Sequence, residues 1–81
     1  MGEPGQRPES DALQTADALA LALEEVGFDV GRAFPLLGAG SGREGVPVVE
    51  LGQVSASVAD SLAAVLHRAA RKGLRVPGAA D

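Results

Sequence analysis

The sequence predicts an α+β domain in which two helices pack on a short β-hairpin, in the order α-β-β-α, behind a disordered N-terminus. Three observations carry this expectation. Residues 10–27 repeat apolar side chains at helical spacing. Residues 46–51, Val-Pro-Val-Val-Glu-Leu, form a β-branched run that ends at Gly52. Residues 57–72 then make a second amphipathic helix, which Gly73 stops. Eighty-one residues allow one small domain. It is placed at residues 10–75, between a lead-in at residues 1–9 and a frayed tail at residues 76–81. Residues 1–9 carry two prolines, two glycines and only Met1 as an apolar side chain, which cannot build a packed element.

The first helix is expected to start with Ser10 or Asp11 as N-cap and to end at Gly27. On a helical wheel Leu13, Ala16, Leu19, Ala20, Leu23 and Val26 share one arc. Gln14, Asp17, Glu24 and Glu25 lie opposite, and Leu21 falls among them, an apolar side chain on the polar face. The stretch Gly27-Phe28-Asp29-Val30-Gly31 turns the chain. Phe34-Pro35-Leu36-Leu37 reads as an extended segment that Pro35 confines to an edge or to a non-strand connection. Residues 38–45 are rich in glycine and read as the loop of a hairpin closed by residues 46–51. Val48 and Val49 are both apolar, so alternation does not select the buried face of that strand. In the second helix, Ser57 with Asp60 three residues on resembles a capping box. Its apolar face is Val58, Leu62, Val65, Leu66 and Ala69.

Composition narrows the function classes. The large apolar residues are ten Leu, nine Val, two Phe and Met1, too few for a deep core in a domain of this size. There is no cysteine and one histidine, so neither disulfides nor a thiolate or multi-histidine zinc site supplies the missing stability. No cofactor or metal is expected. A protein partner or self-association is. The N-terminus carries Glu3, Pro4, Arg7 and Pro8 where a signal peptide needs an apolar run, and no stretch is long enough to span a bilayer. A cytoplasmic protein is the expectation. Residues 1–66 are strongly acidic, whereas Arg68, Arg71, Lys72 and Arg75 make the end of the chain basic. Cations in the last turns of a helix offset its macrodipole. With a net charge of −4 and no Trp or Tyr, nucleic-acid binding is not expected.

The reactive motifs fail on context. Residues 40–45, Gly-Ser-Gly-Arg-Glu-Gly, spell GxGxxG, but an extended run follows where a dinucleotide site needs a helix N-terminus. Asp60, Ser61 and His67 have the residue types of a hydrolase triad. Placed on one helix, His67 lies about 10 Å along the axis from Asp60, and no proton relay closes. Glu24 and Glu25 diverge as helix neighbours. The expectation is a non-enzyme that works through a protein–protein surface. Leu21 is the candidate anchor on the first helix. Val46, Val48 and Glu50 are the candidates on the hairpin edge, where a partner would add a strand.

Three resemblances bear on this reading. Asp60-Ser61-Leu62 resembles the DSL attachment motif of acyl and peptidyl carrier proteins, which implies Ser61 as the serine bearing phosphopantetheine. Ala59 stands where that family has glycine, and the serine falls within the helix. The element order over residues 13–72 is similar to TubC-type N-terminal docking domains of nonribosomal peptide and polyketide synthases. That likeness implies capture of a peptide tail by strand addition. Phe34-Pro35-Leu36-Leu37, Pro47-Val48-Val49-Glu50-Leu51-Gly52 and Leu62-Ala63-Ala64-Val65-Leu66 look like the pattern of small uncharacterised actinobacterial proteins. It implies no activity or ligand.

Overall fold

The computed structural model of the chain describes residues 8–77. Most of the expected lead-in, residues 1–7, and the end of the expected tail, residues 78–81, lie outside the described residues. Helix α1 spans Pro8–Glu25, a single turn α2 spans Val30–Ala33, and strand β1 spans Gly38–Ser41. A 3-10 turn at Arg43–Gly45 leads to strand β2 at Pro47–Glu50, and helix α3 spans Ala56–Arg71. The α+β class and the α-β-β-α order stand as predicted, with α2 as an added turn.

Helix α1 begins earlier than the polar N-cap candidates Ser10 and Asp11 suggest. Proline is favourable in a first helical position because its fixed φ suits the helix and its missing N–H has no partner to lose there. Both long helices end in the same way. The N–H of Phe28 donates to Leu23 O at 3.0 Å and that of Gly27 to Glu24 O at 3.0 Å, with Gly27 at φ +111°. At the end of α3, Leu74 donates to Ala69 O at 3.0 Å and Gly73 to Ala70 O at 2.9 Å, with Gly73 at φ +88°. These are Schellman closures, in which the left-handed glycine lets the chain double back and satisfy the last carbonyls. The Arg75 guanidinium adds bonds to Ala70 O and Leu74 O at 3.0 and 2.9 Å.

Of the two expectations for residues 34–37, an edge strand or a non-strand connection, the structure shows the connection. Phe34, Pro35 and Leu36 form a turn after α2, with Leu37 N–H donating to Phe34 O at 3.2 Å. The strand is instead the glycine-rich segment that reads as loop. It pairs antiparallel with β2 in the register Gly38↔Glu50, Ala39↔Val49, Gly40↔Val48 and Ser41↔Pro47. Residue size explains the choice. A Cβ on Gly40 would lie 2.8 Å from the Glu50 carboxylate, and one on Gly42 would lie 2.9 Å from Val48 Cγ1. Glycines leave the room that the β2 side chains occupy. The connection turns through Glu44 at φ 56° and Gly45 at φ 75°.

The core is small. Ala12, Ala16, Leu23 and Phe34 are the buried hydrophobics among the described residues, and none of their side chains is completely enclosed. Helix α1 packs across both strands. Its buried stripe is rotated from the expected arc: Ala12 replaces Leu13, while Leu13 and Val26 are exposed. Alanines at this contact allow the helix backbone to come close to the hairpin, which a leucine would hold off. Phe28 stacks edge to face on Phe34 beneath the α1–α2 turn.

Helix α3 differs from α1. Its N-cap is Ser55, two residues before the Ser57 that the capping-box pattern suggests, with Val58 N–H donating to Ser55 Oγ at 3.2 Å. Of the two helices expected on the hairpin, α1 supplies the close packing. No residue of α3 is buried.

Candidate interaction surfaces

Leu21 is 61% exposed, as its place on the wheel predicts. It is joined on the surface of α1 by Leu13, which is 54% exposed. At about 100° per residue, Leu13, Asp17, Leu21 and Glu24 fall within roughly 80° of arc, away from the buried stripe. They form a ridge of two leucines and two carboxylates. Sequence reasoning missed Leu13 as a surface residue because it lies on the edge of the apolar arc, where the small Ala12 decides the rotation.

The hairpin candidates form a second surface. Val46 is exposed just before β2, Val48 is half-buried and Glu50 is exposed. Alternation places Val48 and Glu50 on one face of the hairpin with Gly38 and Gly40, and Pro47 and Val49 on the other. Val48 and Val49 are both half-buried, so neither face is sealed. A shallow cleft of about 190 Å³ separates Asp11, Ala12 and Thr15 of α1 from residues 47–49. The fold does not gather Leu21 with Val46, Val48 and Glu50, because Leu21 is on the solvent side of α1.

The third surface is α3, which was expected to be covered. Val58, Leu62, Val65 and Ala69 are only half-buried, and Leu66 is 58% exposed. These five positions lie within about 100° of arc. Arg68 and Lys72 border that stripe on one side. The missed signal is one of area: Gly38-Ala39-Gly40-Ser41 offers too little apolar surface to cover two helices.

The residues of the rejected motifs sit in ordinary places. Gly40 and Ser41 are strand residues, and residues 42–45 are the hairpin connection, leading into β2 and not into a helix. Asp60, Ser61 and His67 are all exposed on α3. A groove of about 380 Å³ borders Asp60, Ala63, Ala64, His67, Arg68 and Arg71, all residues of that one helix. Among the described residues no three His, Asp or Glu side chains group in a way that could hold a metal ion. No described helix is long and apolar enough to cross a membrane.

The chain matches no family model, no curated protein and no solved structure. Its own surfaces are therefore the basis for a functional reading.

Proposed function

We propose that this chain is a non-catalytic protein–protein interaction module, an adaptor or regulatory partner. The observation that supports the reading is the apolar face of α3, which the other described residues leave open. An amphipathic helix is stabilised mainly by burying that face. Here the face has good punctuation at both ends and insufficient cover. Leu21 and Leu13 extend the apolar surface to α1.

The test is recovery of the full chain from its own cells, with Leu66→Glu and Leu21→Glu beside the wild type. Both leucines are exposed, so the variants should fold. The reading predicts an identified stoichiometric partner, whether another protein or a second copy, that is lost in at least one variant. A stably folded monomer without such a partner would contradict it.

A second reading, peptide capture by strand addition, is favoured by the two-stranded sheet. Each strand pairs along one edge only. Under that reading, partner binding slows amide exchange along β1 or β2 and leaves α3 unchanged. The carrier reading through Ser61 has no comparable support, since the serine lies within α3 and not at a helix start.

A further inference from the structure

The basic flank of α3 and the acidic ridge of α1 complement each other. From Asp11 onward α1 carries Asp11, Asp17, Glu24 and Glu25 and no base. Glu24 and Glu25 lie in its last turn, where the negative end of the macrodipole disfavours them. Arg68 and Lys72 flank the apolar stripe of α3. Among the described residues the recorded ion pair is Arg32 with Asp29, and none of them pairs with Asp17, Glu24, Arg68 or Lys72. Each surface also presents exposed leucine: Leu13 and Leu21 on α1, Leu66 beside Leu62 on α3.

Resting on the interaction-module reading, we infer that the partner is a second copy of this chain. In this two-fold dimer, α3 of each copy lies on the Leu13–Asp17–Leu21–Glu24 ridge of the other. The arrangement covers both apolar surfaces twice over. It sets Arg68 and Lys72 against Asp17 and against Glu24, which the end of its own helix disfavours, and it closes because the same contact is made in both directions. It also accounts for a chain whose described residues bury four hydrophobics and yet keep two long helices. Many small domains that cannot bury enough of their own surface reach stability by association.

The test uses the full chain in sedimentation equilibrium. The wild type should sediment as a dimer. Arg68→Glu with Lys72→Glu, and separately Asp17→Lys with Glu24→Lys, should each weaken association about tenfold or more, by placing like charges in contact. An equimolar mixture of the two variants should restore a one-to-one dimer, and so should one chain carrying all four substitutions. That last variant, with circular dichroism on each, keeps the inference testable if a singly reversed chain folds poorly. A wild-type dimer insensitive to both reversals would overturn the inference. So would a monomer in which mixing restores nothing. A monomer that binds a different protein through α3 would overturn the dimer and leave the module reading intact, whereas a stable monomer with no partner would remove both.

Discussion

The rings of Phe28 and Phe34 meet edge to face, with centroids 5.4 Å apart and planes at 87°. They are the only aromatic residues of the chain and they join the end of α1 to the turn of α2. Phe34 is also the largest of the four buried side chains. Replacing a buried phenylalanine by alanine costs about 3–5 kcal/mol. A domain with so small a core has little reserve, so Phe34→Ala should leave the chain largely unfolded at 25 °C in a urea titration. Phe34→Leu keeps most of the volume and should remain folded with a lower midpoint.

Gly52 holds the turn after β2 against Leu36. Its φ is +73°, and a Cβ there would strike the Leu36 side chain, with Leu36 Cδ1 at 3.2 Å. Gly52→Ala should therefore destabilise by more than the roughly 1 kcal/mol of left-handed strain alone. Gly45→Ala supplies the comparison: that residue is also left-handed, at φ +75°, but nothing lies within 4 Å of its Cβ position. Chemical denaturation of the two variants should show the larger loss at Gly52.

Two serines compete for the start of α3, and the structure selects Ser55. Ser55→Ala should cost about 0.5–2 kcal/mol, the usual range for losing an N-cap oxygen. Ser57→Ala should be close to neutral. Helical signal and thermal midpoint measured on both variants check the assignment, and equal losses would contradict it.

Glu44 is the one described residue other than glycine with a positive φ. Asparagine adopts this conformation more readily than glutamate. Glu44→Asn should raise the thermal midpoint by a few degrees, since a gain near 1 kcal/mol moves a domain of this size by about 4–8 °C. An unchanged midpoint would mean that this turn does not limit stability.

Some of this organisation is legible in the sequence for definite physical reasons. The apolar periodicity of α1 and α3, the valine run of β2 and the glycines that end the helices are local signals. Leu21 could be placed on the surface of α1 from the wheel alone. Strand β1 was not legible, because Gly-Ala-Gly-Ser has no intrinsic strand preference and is extended only by pairing with β2 and yielding space to Val48 and Glu50. The rotation of α1 depends on Ala12 being small where the helix meets the hairpin. The open face of α3 was not legible either. Amphipathicity says that Val58, Leu62, Val65, Leu66 and Ala69 require cover, but not what supplies it.

The proposed dimer requires that a single chain leave its apolar surfaces open and that a second copy cover them. Thermal unfolding of the wild-type chain over a hundredfold range of concentration tests this most directly. A dimer coupled to folding gains stability by mass action, and the midpoint should rise by roughly 5–10 °C from the lowest to the highest concentration. A sharp transition whose midpoint is independent of concentration would show that the single chain folds without a second copy, and would overturn the dimer.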